Sequence, residues 1–213
     1  MSCDPEVPRS GPCTLPLWSL REEVTVETYA DGKLVLRCDD TAEAVRCADP
    51  VLYEVLRRMT LGPVLLSNVD ASLAHPATRD PATPPTWAPP VWSALRRLSH
   101  LVVRSLGTDD EKGPLLSVFT PSRDTAFDPV RLPEAAPLRL SPFTTVRSRT
   151  GALVLESILT PFRVVLHRPE AAWSARVLTR PINPATVVTL PLAPAAAPDI
   201  LAYLAAAGMT DKG

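Results

Sequence analysis

Few residues that could do chemistry stand at useful spacings in this chain of 213 residues. The three histidines, His75, His100 and His167, share no spacing that would pair them as metal ligands or as acid and base. The four cysteines form no CxxC pair, and the sequence contains no glycine-rich phosphate loop, GxSxG motif or HExxH motif. The sequence therefore predicts no catalytic residue, no metal ligand and no cofactor-binding residue in this chain.

One segment carries basic residues without an acid. Hydrophobic periodicity predicts a helix over residues 90–107, and its polar side contains Arg96, Arg97, His100 and Arg104. Three interpretations are open: a solvated helix face, a guanidinium-lined groove for an acidic peptide or protein partner, or a recognition helix for DNA. The formal net charge of −1 disfavours nucleic acid as a partner.

Positioning these residues requires a folded core, which 46% hydrophobic residues can build. No secretory signal is visible at the N-terminus, and the longest uncharged run, over residues 181–198, contains five prolines. A proline-interrupted run of this kind cannot form a membrane-spanning helix. The sequence predicts a soluble protein in the cytoplasm that does not enter a membrane.

The chain contains the same stretch twice. A shift of 119 positions places residues 25–63 on residues 144–182 without a gap, and the identities include a turn glycine and a helix-start proline. Conserved turns and helix starts are typical of one folded unit that is repeated. In each copy a hairpin and a short third strand, at residues 44–47 in the first copy, precede a helix that begins at an X-Pro pair, which is Asp49-Pro50 in the first copy.

The remaining segments complete two units. The first unit has a weaker helix over residues 64–73, the helix over residues 90–107, and a two-stranded wing at 115–119 and 130–132. The second unit ends with a helix over residues 198–208, which leaves no room for a wing. We therefore predict an α+β fold, a tandem repeat of two winged helix-turn-helix-like units, each with an N-terminal β-hairpin sheet and about three helices. The predicted boundaries are a flexible N-terminus at 1–17, the first unit at 18–132, a linker at 133–137, and the second unit at 138–213.

Residues 153–172 (LVLESILTPFRVVLHRPEAA), preceded by Leu-Ser-Pro-Phe at 140–143, resemble the N-terminal region of SagB-type dehydrogenases, and so does the first hairpin-and-helix unit. In that family a tandem winged-helix region precedes a nitroreductase-like domain, which binds FMN and oxidises thiazolines and oxazolines in ribosomally made peptides. Pro142 stands where the family usually has arginine, and the FMN domain has no counterpart in this sequence. The resemblance thus implies a scaffold without its own cofactor, with FMN expected only on a separate partner.

This resemblance implies a non-catalytic recognition protein in the biosynthesis of azole-containing, post-translationally modified peptides. It would bind the precursor (leader) peptide, a separate FMN dehydrogenase subunit, or both. Strand addition at the edge of the three-stranded sheet in either unit is the expected binding mode, and in the first unit the candidate groove lies between the strand at 44–47 and the helix at 90–107. The candidate peptide- or partner-binding residues are Val45, Arg46, Trp87, Arg96, Arg97, His100 and Arg104.

Two other functions remain open at this point. One is a winged-helix transcriptional regulator that binds DNA. The other is a structural subunit of a hetero-oligomeric enzyme, which predicts an exposed apolar partner interface. That interface would contain Ile200, Leu201, Leu204 and Met209.

Overall fold

A computed structural model of the protein describes residues 13–29, 33–38, 41–46, 49–82, 90–110, 112–123, 125, 127–149, 151–191 and 194–212. The first half contains β1 (Thr14–Leu20), β2 (Thr25–Thr28), β3 (Lys33–Cys38), β4 (Thr41–Arg46), α1 (Pro50–Met59), β5 (Val64–Leu65), α2 (Pro90–Arg97), β6 (Val102–Thr108) and β7 (Leu116–Phe119). It also contains 3₁₀ turns at Leu66–Asn68, Ala71–Leu73 and Ser99–Leu101.

The second half contains β8 (Leu138–Leu140), β9 (Thr144–Arg149), β10 (Ala152–Ser157), β11 (Arg163–Leu166), α3 (Pro169–Val177), α4 (Pro184–Val187), α5 (Ala197–Ala206) and β12 (Thr210–Lys212). The protein therefore has mixed helices and antiparallel sheets, as the predicted α+β class requires. None of the helices in the described ranges has the length and hydrophobicity that crossing a bilayer requires.

Three antiparallel sheets organise the chain. The largest has seven strands in the order β5-β1-β6-β7-β11-β10-β9, and it draws strands from both halves. The strands β2, β3 and β4 form a second sheet, and β12 pairs with β8 in a third. Because β7 pairs with β11, the sheet continues across residues 133–137, where a linker was predicted.

The two halves repeat the same order of elements at the predicted shift. The elements β2, β3 and α1 begin 119 residues before β9, β10 and α3. The pairing also repeats, since β1 pairs with β6 in the first half and β8 pairs with β12 in the second. Even β5, which pairs with β1, has a counterpart in the isolated bridge between Ile182 and Leu138.

The starts of the repeated helices explain why both form at the predicted place. Proline occupies the first turn of each helix, where its missing N–H costs no hydrogen bond. The Asp49 carboxylate caps α1 by accepting a hydrogen bond from the Val51 N–H at 2.8 Å. The residue at the cap of α3 is Arg168, whose side chain instead pairs with Asp110 at 2.9 Å and contacts Glu170.

Two clusters of buried side chains form the core. One surrounds α1 and α2 and includes Leu36, Leu56 and Trp92. The other surrounds α5 and includes Leu155 and Tyr203, together with residues of β6 and β7 from the first half. The second cluster thus uses strands from both halves of the chain, as the seven-stranded sheet does.

The prediction of a helix over residues 90–107 is wrong after Arg97. The chain continues through the 3₁₀ turn into β6, which pairs with β1 along its whole length. Val102 and Leu106 are spaced i, i+4, and this spacing puts side chains on one face of a strand as well as of a helix. Pairing with a distant strand therefore decides between two structures that share the same apolar pattern.

Three further expectations are also wrong. Residues 14–17 belong to β1, so the flexible N-terminus predicted for 1–17 does not reach this far. The segment 64–73 forms β5 and two 3₁₀ turns instead of a helix. The strand predicted at 115–119 pairs with β6 and β11, while Val130 makes only an isolated bridge with Arg79, so these segments form no two-stranded wing.

Candidate functional site

The outer edge of β4 is the part of the fold best suited to receiving another chain. Among the described strands, β4 pairs only with β3, and it ends the three-stranded sheet. Thr41, Ala42 and Ala44 are exposed along it, whereas Val45 is buried. An edge strand presents a row of backbone N–H and C=O groups, which an extended peptide can pair with.

The second half contains the counterpart of this edge with a strand already on it. There β11 pairs with β10 on one side and with β7 on the other, and the β7–β11 pairing is antiparallel. In register, Leu116 of β7 lies opposite Leu166, and Val118 lies opposite Val164. The same position in the repeated unit is thus able to bind an added strand.

The strand registers show which residues correspond. Leu34 pairs with Val45 in the first unit, and its counterpart Leu153 pairs with Leu166 in the second. By the same registers Leu36 pairs with Glu43, and Leu155 pairs with Val164. Glu43 therefore occupies the position of a fully buried valine.

Glu43 forms an ion pair with one basic side chain and lies near a second. Its Oε1 atom lies 2.7 Å from Nη1 of Arg123, which follows β7, and 3.7 Å from Nε2 of His100 in the 3₁₀ turn. The Glu43 side chain is 27% exposed, so its charge is half-buried at the edge. Burial, with the nearby Arg123 charge, lowers the pKa of His100, which keeps that ring neutral at physiological pH.

The sequence did not single out Glu43 or Arg123, because they are far apart in the chain. The third strand was predicted to begin at Ala44, whereas β4 begins at Thr41. A strand starting there would have placed Glu43 opposite Leu36, on the face that packs in the core. A charged residue at such a position is the signal that could have drawn attention to this edge.

The predicted basic cluster is split by the structure. Arg96 and Arg97 are exposed in the last turn of α2, while His100 is buried in the 3₁₀ turn. Arg104 lies on β6 and is only 8% exposed, with its guanidinium 3.5 Å from the ring centre of Trp18. The prediction that these four residues share one solvated helix face is therefore wrong.

The other predicted peptide-binding residues lie in different surroundings. Val45 points into the first core cluster, so only its backbone is available to a partner strand. Arg46 is the last residue of β4 and pairs with Lys33. Trp87 lies outside the described residues.

The predicted partner interface at the end of the chain is also wrong. Ile200, Leu201, Leu204 and Met209 are each at most 1% exposed and belong to the second core cluster. The first three lie on α5, which is apolar around most of its circumference, and such a helix is buried on all sides. Their hydrophobicity serves packing and not binding.

A row of polar side chains crosses the seven-stranded sheet. Ser117 Oγ lies 2.7 Å from Ser105 Oγ and 2.8 Å from Nε2 of His167, whose pKa is lowered by burial. These residues line a groove of about 520 Å³ beside the end of α1. Ser117 is on β7, which is paired on both sides, so its backbone amides are used in the sheet. The backbone N–H of Ser117 is therefore not available as an oxyanion-hole donor.

No protein-family model matches the chain, and a search of curated proteins found no significant match. Within the described residues, no three His, Cys, Asp or Glu side chains come together as metal ligands would. The site has the geometry of a strand edge with no second neighbour among the described strands, beside a half-buried charge.

Proposed function

We propose that the protein is a peptide-recognition module that binds an extended segment of a partner as an added strand on β4. The observation that carries this proposal is the difference between the two units, because β11 carries β7 while β4 pairs only with β3 among the described strands. Backbone hydrogen bonds along the edge supply affinity, and side chains set the register. No catalytic step is assigned to this chain.

The proposed partner is the precursor peptide of an azole-containing natural product or a separate FMN dehydrogenase subunit. Support comes from the resemblance at residues 140–143 and 153–172, which include β10, β11 and the start of α3. We also propose that each half is related to winged-helix units. Both halves place a helix, a short helical turn, a second helix and a strand after the N-terminal sheet, which supports this relation.

The neighbours of the edge predict a pattern for the bound segment. If the segment lies on β4 as β7 lies on β11, one of its residues takes the place of Leu116 beside the buried Val45. The residue two positions later takes the place of Val118 and lies beside Glu43. We expect an apolar residue at the first position and a polar residue that satisfies the Glu43 carboxylate at the second.

Selection of binders from a random heptapeptide library, followed by hydrogen–deuterium exchange, tests the proposal. A selected peptide should protect backbone amides of β4 and leave those of other edge strands, such as β2 and β9, unchanged. Protection confined to β2 or β9, or no selected binder, would contradict the proposal.

A matched pair of variants tests the predicted specificity. Glu43→Val introduces the residue found at the equivalent position of β11, and Glu27→Val makes the same charge change on β2 of the same sheet. Glu43→Val should lower the affinity for peptides with the polar residue by about tenfold, a loss of about 1.4 kcal/mol in binding free energy. Glu27→Val should leave that affinity unchanged. Equal effects of both variants would show that only net charge matters.

The DNA-binding alternative rests on two of the four basic residues. Arg104 is buried and His100 points toward Glu43, which leaves Arg96 and Arg97 as the exposed cations of this group. Binding driven by phosphates weakens steeply with salt. A gel shift that appears at low ionic strength and disappears at physiological salt would support this alternative over the peptide module.

A further inference from the structure

Within the described part of the chain, several buried polar groups near β6 have no hydrogen-bond partner. They are Nε of Arg104, Oγ of Ser99, both ring nitrogens of His100 and the hydroxyl of Tyr203. Tyr203 interacts with the guanidinium at longer range, and its hydroxyl has no hydrogen-bond partner among the described residues. Buried donors in folded proteins are almost always paired, so each such group requires an explanation.

Arg104 also has no carboxylate partner within the described part of the chain. Its Nη1 donates to the carbonyl oxygen of Phe127 across 3.4 Å, which is long for a hydrogen bond. Asp128 acts on it only from a distance, because the Asp128 carboxylate is paired with Arg79 at 3.0 Å. A guanidinium buried in this way is normally compensated by an anion.

Aromatic stacking compensates only part of this charge. The Trp18 ring lies 3.5 Å from the guanidinium carbon, and the centre of the Phe127 ring lies 5.7 Å from it. Such contacts use the flat face of the guanidinium and leave its N–H groups, which point outward in the plane. The orphan Nε is one of these in-plane donors.

Two of these residues, Arg104 and Ser99, line a small cavity. It measures about 30 Å³ and is bordered by Ser99, Arg104, Thr125 and Arg96, with walls from Trp18, Trp92 and Phe127. No acidic residue lines it within the described ranges. A single water needs about 10–15 Å³ measured in this way, so the cavity has room for two or three water-sized groups, such as the two oxygens of a carboxylate and a methyl group. We infer that Arg104 and Ser99 form a binding site for a carboxylate group.

The carboxylate has two possible sources. The 3₁₀ turn that supplies Ser99 to the cavity also supplies His100, which lies near Glu43, so the cavity and the β4 edge are connected through neighbouring residues of this turn. An acidic side chain of a segment bound to β4 is one source, and this version of the inference rests on the proposed function. A free small carboxylic acid is the other source, and that version is independent of the proposed function.

Titration with sodium acetate tests the site itself, with sodium chloride at matched ionic strength as the control. We expect acetate to raise the melting temperature and to change tryptophan fluorescence saturably, because Trp18 stacks on the guanidinium. Arg104→Met should weaken acetate binding about tenfold or more. The control Arg97→Met removes an exposed arginine outside the cavity and should leave acetate binding unchanged.

The stability of the variant separates a binding role from a structural one. Without acetate, Arg104→Met should melt at the same temperature as the parent protein or above it, since it removes a buried charge that has no counter-ion. A lower melting temperature would mean that Arg104 serves packing and would overturn the inference. Ser99→Ala provides a milder variant, which should fold normally and bind acetate more weakly.

Two further results would overturn the inference. One is an equal response to chloride, which would indicate an adventitious ion only, and the other is an acetate response that persists in Arg104→Met. The source of the carboxylate is then identified by comparing the affinities of two versions of a selected peptide, one with glutamate and one with glutamine at the same position. A preference for glutamate that is lost in Arg104→Met assigns the site to the bound segment. Acetate binding without a preference for glutamate assigns the site to a free acid. This version of the inference holds even if no peptide binds β4.

Discussion

Leu36 and Leu155 form a matched pair that tests how the two units are joined. They are 119 residues apart, occupy equivalent positions on β3 and β10, and are both 0% exposed. Replacing a fully buried leucine by alanine removes apolar contacts and leaves a cavity, which costs about 3 kcal/mol. Leu36→Ala affects the first core cluster, and Leu155→Ala affects the second.

The seven-stranded sheet predicts that both variants lower the same transition. Because β7 pairs with β6 and with β11, neither unit can unfold completely without breaking this sheet. For a protein of this size, 1 kcal/mol shifts the melting temperature by about 2–4 °C, so each variant should melt about 6–12 °C lower.

Differential scanning calorimetry measures the outcome directly. We expect one peak in each variant, with equal calorimetric and van't Hoff enthalpies, as a two-state transition requires. Leu61→Ala serves as the control, because Leu61 is 78% exposed and its replacement should change stability little. Two separate peaks, each moved by only one of the variants, would refute the reasoning and show two independent domains.

Two further predictions concern stability. Burial lowers the pKa of His75, His100 and His167 below the usual 6.5, so the unfolded chain binds more protons than the folded one as pH falls through this value. The free energy of unfolding should therefore decrease from about pH 7.5 to about pH 5.5 in urea titrations, and His167→Gln should reduce this decrease; an unchanged free energy would contradict the assignment. Asp49→Ala should lower the free energy of unfolding by about 1 kcal/mol through loss of the α1 cap, measured by the same titration at neutral pH. A Glu23→Ala control on an exposed carboxylate should have little effect, and an equal loss there would argue against the cap.

The repeated elements were predictable because their signals are local. An aspartate followed by proline starts α1, and alternating apolar residues around a turn form each hairpin. These signals lie within a few residues of one another, so they act in the same way in either copy. The positions of β2, β3, β9, β10, α1 and α3 follow the predicted shift of 119 residues.

The strand pair β1–β6 was missed because its signals are not local. Pro16 argues against a central strand, since proline cannot donate a hydrogen bond to a neighbour. However, β5 covers only Leu17 and Trp18, so on that side β1 has no paired neighbour at Pro16. Only the fold shows that proline is tolerated there, and without β1 the segment that becomes β6 reads as the end of a helix.

The candidate edge could be predicted only in outline. Strand addition near Val45 follows from the existence of a short third strand. The Glu43–Arg123 pair depends on the path of the loop after β7, and the burial of Arg104 depends on the strand identity of β6. Both are set by contacts between distant segments, which a periodic pattern does not contain.

The difference between the two units at the position of Glu43 and Val164 indicates what the β4 edge is for. If the edge only had to pair with a strand of its own chain, an apolar residue would suffice at this position. Val164 is such a residue, and it lies opposite Val118 of β7. Glu43 instead places a charge on the inward face of β4, and such charges keep unrelated strands from pairing with an open edge. The same charge favours a segment that brings a compatible side chain, because pairing removes water from a carboxylate whose other close partner is Arg123. Protection from wrong strands and selection of the right one therefore have the same physical cause at this position.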